Sequence, residues 1–562
     1  MAEPKNSMLG DQLKEVVQSC KQGWAVLRHQ GPSALQFWFI ALLVGIAAGL
    51  AACGFRIAIE WLQGVLYDAK DIRSLQELIT DLDWYFILTI PVMGGLITGV
   101  ILHHFTPDAR ARSVAEVIEG AAMNNGRVEK KAGLASAVAS MITLSTGGST
   151  GREGPVVHLA GVISSWVSGL IKADGITGRD LLGCAVAAAV SASFNAPIAG
   201  ALFALEVVLR HFAVHAFAPI VIASVAGTVI SRTVFGDVPE FVLPDGSVLG
   251  FYRELPAYLI LGLLSGIVAV IMMRTVFWAD SVGTWFQNAV GLPRWLRPAV
   301  AGLLLGAIAI AFPHIIGVGY GTTFAALTGE FLFYEAVIFA IVKVIAVSIT
   351  MAGRMGGGIF SPALMVGALT GLAFGTIATS IFPEVSGTLT IYALAGMGAV
   401  SAAVLGAPIS TTLIVFELTG DWQLGLAVMV AVSLSSAVAS QLVHRSFFLT
   451  QLERRGIHLA AGPQAYLLSM FRVASVMRTP DHPRAAARDD CLAMIEDGLY
   501  LSPKATLEDA MPIFEETNSV FLPVLNLPKA GEPPEILGAL FQVDALKQYS
   551  RALAATAAEE HS

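Results

Sequence analysis

The stretch Ser145-Thr146-Gly147-Gly148-Ser149-Thr150-Gly151-Arg152-Glu153-Gly154-Pro155 brings together residue types that suit ion chemistry. Its glycines leave backbone N–H groups open, and Glu153 places an ionisable carboxylate among them. A Gly-rich segment entering an apolar helix presents amide donors at the positive end of the helix dipole. That makes an anion site without a formal cation. Partial charges of this kind hold an anion weakly enough to let it leave, whereas a fixed lysine would trap it. A carboxylate in the same place competes with the anion, and vacates the site when protonated. Ionisable groups in membrane segments are functional by default. The plainer reading of Glu153 is an interfacial acid paired with Arg152.

A second segment, Gly356-Gly357-Gly358-Ile359-Phe360-Ser361-Pro362, again opens an apolar helix from glycines. Its amides would meet the same anion from the other side, and a flexible helix–helix connection is the alternative. The histidines add less. His211 and His215 have the i, i+4 spacing that zinc can use, but no third ligand is near in sequence, so a solvated or interfacial pair is expected. His158 has no ligand partner in sequence either. There is no nucleophile–base constellation and no P-loop, so no enzyme is expected. Cys20, Cys53, Cys184 and Cys491 are scattered without metal spacing; Cys53 and Cys184 read as small buried hydrophobes.

The elements that must hold these residues are membrane helices. Of the 562 residues 55% are hydrophobic and only 14% charged, against roughly 25% in a soluble domain. Stretches 38–54, 85–102, 256–273 and 390–418 are long enough to cross a hydrocarbon core about 30 Å thick. The net charge of -8 is not gathered into a stripe, and nothing resembles a basic nucleic-acid surface. Many apolar runs are cut by Gly or Pro, at 147–155, 195–200, 353–362 and 405–408. Unpaired peptide groups persist in lipid only where protein or a water-filled cavity meets them. Breaks at corresponding places in two halves point to an inverted repeat. Asn195-Ala196-Pro197-Ile198 precedes Glu206, and Gly406-Ala407-Pro408-Ile409 precedes Glu417, with the same Pro-to-Glu spacing.

With these motifs in order, residues 35–456 resemble the CLC family of chloride channels and chloride/proton exchangers. Three further stretches carry the likeness: Asn195 to Gly200, Ala393 to Gly398 continuing to Ala407-Pro408, and Glu417-Leu418-Thr419-Gly420-Asp421. The resemblance implies an all-α polytopic bundle with broken and re-entrant helices, and a homodimer with one anion pathway per subunit. It implies that Glu153 is the gating glutamate, with Gly151, Arg152 and Gly154 around an outer anion site. It places Gly358 and the N–H groups of Ile359 and Phe360 at the central site.

The departures from the family pattern matter as well. Where the family carries Gly-Ser-Gly-Ile-Pro ahead of a Glu-Gly pair, this chain has Arg112-Ser113-Val114-Ala115-Glu116 ahead of Glu119-Gly120. Ser113 keeps the hydroxyl, but the glycines and proline are gone. Phe448 stands where the family's central tyrosine would be, so no phenolic donor is present and weaker central anion binding is expected. Val207 occupies the place of the inner glutamate of many exchangers, which favours a channel. Glu119 and Glu206 are the carboxylates that could serve a proton pathway past Val207, and Glu206 also reads as a structural acid at a helix end.

Residues 1–33 read as a cytosolic N-terminal segment without a cleaved signal peptide, 34–456 as the membrane domain and 457–562 as a soluble cytosolic tail. Within the tail, 497–552 resembles one cystathionine-β-synthase-type repeat built as strand, helix, strands, helix, with the first strand expected at Leu499–Pro503. A complete adenine-nucleotide site is not expected there, and no other cofactor is. The expected setting is the inner membrane, with the tail cytoplasmic, lipid around the bundle, and chloride, with protons in the exchanger reading, as the transported species.

Overall fold

The structure is a computed structural model and describes residues 32–67, 79, 82–212, 214–237, 253–419, 422–457, 459, 468, 471–503, 505–526 and 535–560. The N-terminal lead-in through residue 31, and Gly420-Asp421 at the end of the second-half motif, lie outside the described residues.

The first half of the membrane region runs through α1 (Ala34–Tyr67), α2 (Trp84–Phe105), α3 (Val114–Met123), α4 (Lys130–Ser145), α5 (Glu153–Ile171), α6 (Gly175–Phe194), α7 (Pro197–Phe203) and α8 (Val214–Phe235). The second half runs through α9 (Leu255–Val290), α10 (Arg297–Ala311), α11 (Tyr320–Thr328), α12 (Phe333–Ala352), α13 (Phe360–Ile381), α14 (Leu389–Leu405), α15 (Pro408–Thr419) and α16 (Trp422–Leu442), and closes with α17 (Phe447–Glu453). Among the described residues, nine helices are long and apolar enough to cross a membrane, while the segments containing α7, α14 and α15 are apolar but shorter. The protein is an all-α integral membrane protein with broken helices.

Large apolar side chains such as Trp38, Phe39, Ile271 and Ile341 face outward, as lipid requires, and small residues are frequent where helices meet inside. Ala185 to Ala189 on α6 and Ala393 to Ala395 on α14 are almost completely buried. Each of these two helices is the hub of its half: α6 packs on α1, α5, α7 and α8, and α14 packs on α9, α13, α15 and α16. Where α2 crosses α10, a Cβ on Gly95 would come within 2.3 Å of the Pro298 carbonyl oxygen, and one on Gly302 within 2.2 Å of the Pro91 oxygen. Only glycine fits there.

The repeat seen in sequence has a structural counterpart. Both hub helices end in a left-handed residue, Asn195 at φ 56° and Gly406 at φ 68°, and in both cases a proline opens the next helix. Proline at the first helical position loses no hydrogen bond, but the next two amides are left without helical partners. The halves cap each other. The Glu206 carboxylate accepts from the N–H groups of Ile409 (3.0 Å) and Ser410 (2.7 Å) and from the Ser410 hydroxyl. The Glu417 carboxylate accepts from Ile198 (3.0 Å) and Ala199 (2.8 Å).

The tail holds α18 (Val473–Val476), α19 (Arg488–Glu496), α20 (Leu507–Thr517), β1 (Phe521–Asn526), β2 (Glu535–Phe541) and α21 (Gln542–Glu560). Strands β1 and β2 pair antiparallel, with Phe521 opposite Phe541. The strand expected at Leu499–Pro503 is reduced to one parallel bridge from Leu501 to Val524, and Arg478 bridges Ala539 on the other edge. Phe514, Leu522, Val524 and Leu540 form a small core of their own.

Candidate functional site

The two Gly-rich breaks meet head to head. Gly151 N–H donates to the Gly358 oxygen at 2.7 Å, and Gly358 N–H donates back at 2.8 Å. This pair of bonds draws together the N-termini of α5 and α13, one from each half. The two termini are built alike. Glu153-Gly154-Pro155 opens α5 and Phe360-Ser361-Pro362 opens α13, so each presents two amides and then a proline without one. Two positive dipole ends therefore converge on one place in the interior.

Glu153 lies there, 4% exposed. Its Oε1 accepts from the Ser361 hydroxyl at 2.5 Å and from the Tyr320 hydroxyl at 3.1 Å. Its Oε2 lies against Gly151, where a Cβ would come within 2.6 Å of it. Arg152 stands 4.0 Å from the carboxylate, places its guanidinium 4.9 Å from the Tyr320 ring centre, and donates to the Ser193 oxygen. The interfacial ion pair is thus a long contact, and the hydroxyls make the short ones.

Below Glu153 a cavity of about 10 Å³ is lined by Gly154, Phe194, Phe203, Gly358, Ile359, Phe360 and Phe448. A void of that size has room for about one water. The Phe360 ring packs on Phe194 (4.8 Å) and Phe203 (6.2 Å), which makes an aromatic wall. Beyond Phe448 the space opens again into a cavity of about 90 Å³ lined by Ser113, Gly356 to Ile359, Phe448 and four arginines, Arg110, Arg354, Arg454 and Arg455. On the far side of Glu153, Tyr320 belongs to another recess with Gly319, His314 and Gln63. Spaces therefore approach Glu153 from both sides: it lines the cavity beneath it and accepts from the Tyr320 hydroxyl of the recess beyond.

The structure gathers Ser113, Gly151, Arg152, Gly154, Gly358, Ile359, Phe360 and Phe448 around or directly beneath Glu153. A Cβ on Gly154 would come within 2.3 Å of Ser113 Oγ, so that hydroxyl lies directly against the α5 terminus. Glu119 and Glu206 lie apart from this group. Glu206 is committed to the α15 amides, and Val207 beside it is 5% exposed within a π-helical turn, Ala204–Leu209. His211 and His215 do not share a helix: His211 is buried just before α8, and His215 pairs with Asp180 at 3.2 Å. The i, i+4 placement on one helix that the spacing allowed is therefore not realised. Among the described residues no group of three or more metal-ligating side chains occurs. Tyr320 escaped sequence reading because it lies far from both breaks in the chain, while Ser361 lay inside a flagged segment without being assigned as a donor.

Residues 94–440 match the family model described as voltage gated chloride channel. The chain belongs to the CLC family. Among CLC relatives, it is 30% identical to the chloride channel protein ClcB-like of Ralstonia nicotianae over 396 residues, covering 70% of this chain and 91% of that one. Its fold is similar to a slow cyanobacterial Cl⁻/H⁺ antiporter, with a TM-score of 0.65 at 22% identity, covering 75% of this chain and 97% of that one. A eukaryotic CLC transporter gives a TM-score of 0.64 at 18% identity and covers 91% of this chain and 98% of its own. Membership makes the chain an integral membrane protein of a chloride-transport family.

Proposed function

We propose that each subunit passes chloride along the cavities that meet at Glu153, and that protonation of Glu153 opens the way. The observation that carries this reading is the position of the carboxylate. It occupies the point where two helix N-termini converge, held by two hydroxyls, in the place an anion would take. Protonation removes its charge, frees the side chain from its donors and leaves the amides to the anion. The pathway is channel-like, because Val207 offers no proton relay beside Glu206. The same pathway would take other small anions such as bromide and nitrate.

Glu153→Gln removes the charge at the crossing point, and chloride efflux from reconstituted vesicles should become independent of the pH on the side opposite the tail. Wild-type dependence on the pH of that side in this variant would refute the gate. The exchanger reading draws support from the antiporter fold of the cyanobacterial neighbour. An imposed chloride gradient that drives stoichiometric uphill proton movement would establish it. A homodimer in the inner membrane, with the tail cytoplasmic, completes the proposal. The tail's single cystathionine-β-synthase-like unit acts in dimer stabilisation rather than nucleotide binding, and mass measurement of the solubilised protein with and without residues 457–562 tests that role.

A further inference from the structure

One buried titratable group stands outside the anion pathway. His158 on α5 is 1% exposed, and neither ring nitrogen has a hydrogen-bond partner among the described residues. Leaving a buried polar group unmatched costs about 1–3 kcal/mol. From α4 the ring meets Gly133, where a Cβ would come within 2.7 Å of Cε1. On its other side lies a polar cavity of about 440 Å³. That is space for several waters at about 30 Å³ each, so the ring can be hydrated from there.

The cavity wall carries seven charged side chains besides His158, among Asn124, Val128 and Ile457. α3 contributes Glu116 and Glu119, and the segments flanking α3 contribute Asp108, Arg112, Arg127 and Glu129. Arg455, just after α17, closes it on the tail side. Arg112 pairs with Asp108 at 3.1 Å and with Glu129 at 3.4 Å, Arg127 donates to the Ala173 oxygen, and Arg455 pairs with Glu116. Glu119 keeps no hydrogen bond or ion pair among the described residues. Four carboxylates thus face three guanidinium groups, and an added proton makes the cavity neutral.

The wall is shared with the anion pathway. Arg455 lines both this cavity and the 90 Å³ cavity below Phe448. Its partner Glu116 accepts from the Ser113 N–H at 2.6 Å, and the Ser113 hydroxyl lies against Gly154. Charge arriving at His158 acts on Glu116, and through it on Arg455 and Ser113.

We infer that this cavity is a tail-side proton-binding site in which His158 and Glu119 take up the proton, coupled through the Glu116–Arg455 pair to the anion pathway. The inference rests on the anion-pathway reading given above. It supplies a tail-side proton site at a place other than Val207. A cationic imidazole draws Glu116 from Arg455, so that Arg455 offers more of its charge to an anion at Ser113. Tail-side acidification therefore raises chloride flux.

The test uses full-length protein in planar bilayers, with pH changed on one side at a time. Wild-type flux should rise about fivefold or more on tail-side acidification, the lower end of usual coupling between sites. His158→Gln should flatten that response and Glu119→Gln should reduce it. The response should survive in Glu153→Gln, whose opposite-side response is lost. A full wild-type tail-side profile in folded His158→Gln protein overturns the inference while leaving the anion pathway standing. Absence of any chloride flux in the wild type refutes the pathway reading instead. In that event the imidazole resonance of His158, assigned by its loss in His158→Gln, decides: titration supports the proton site, and a signal constant with pH overturns it.

Discussion

In the proposed gate the hydroxyls of Ser361 and Tyr320 hold Glu153 in place, so deleting them should loosen it in the order of their geometry. The Ser361 bond at 2.5 Å is short and the Tyr320 bond at 3.1 Å is longer. Hydrogen bonds to charged groups contribute about 1.5–3 kcal/mol. Taking about 2 kcal/mol for Ser361 and about 1.5 for Tyr320, and about 1.4 kcal/mol per pH unit, gives shifts of about 1.5 units and about 1 unit. The sign follows from which form the donors favour. Both stabilise the ionised carboxylate, so without them protonation succeeds at higher pH, and the midpoint of proton-opened flux moves up. Well below the wild-type midpoint the variants and the parent conduct alike. Tyr320→Phe keeps the ring beside Arg152, so its effect reports the hydroxyl alone. The assay is chloride efflux from reconstituted vesicles against pH for Ser361→Ala, Tyr320→Phe and the double variant. A Ser361→Ala midpoint at or below the parent's, or a larger shift for Tyr320→Phe, refutes the reasoning.

Glu206→Ala and Glu417→Ala each uncap the helix of the opposite half, and each should cost about 2–4 kcal/mol, seen as matching drops in the denaturation midpoint of the detergent-solubilised protein. Phe448→Tyr supplies a donor at the aromatic constriction; a new hydrogen bond of about 1 kcal/mol should tighten chloride binding about fivefold by calorimetry. Gly154→Ala forces a methyl against Ser113 Oγ and should cost about 1–3 kcal/mol and abolish flux from otherwise folded protein.

The parts of the site that were legible in sequence are those encoded locally. Glycines before Glu153 and Phe360, and Pro197 and Pro408 with their matched glutamates, announce helix starts and a repeat within short windows. What sequence could not supply is which terminus meets which. The Gly151–Gly358 bridge, the exchange of Glu206 and Glu417 between halves, and the reach of Tyr320 to Glu153 all join residues more than 160 positions apart. Composition carries no record of such pairings. Glu206 is instructive here: its Pro-to-Glu spacing favours a helix-end carboxylate over a proton relay, and only the amides of Ile409 and Ser410 show what it touches. The tail strand at Leu499–Pro503 fell short for a local reason, since Pro503 has no N–H to donate to a ladder.

The paired peptide bonds between Gly151 and Gly358 bear on how temperature should affect transport. Swinging one half of the bundle against the other would first break both bonds, along with the four backbone caps donated to Glu206 and Glu417. Such a stroke carries a steep activation enthalpy. A side chain leaving two hydroxyls carries a shallow one. With the frame tied between Gly151 and Gly358, turnover in this protein should slow only gently on cooling.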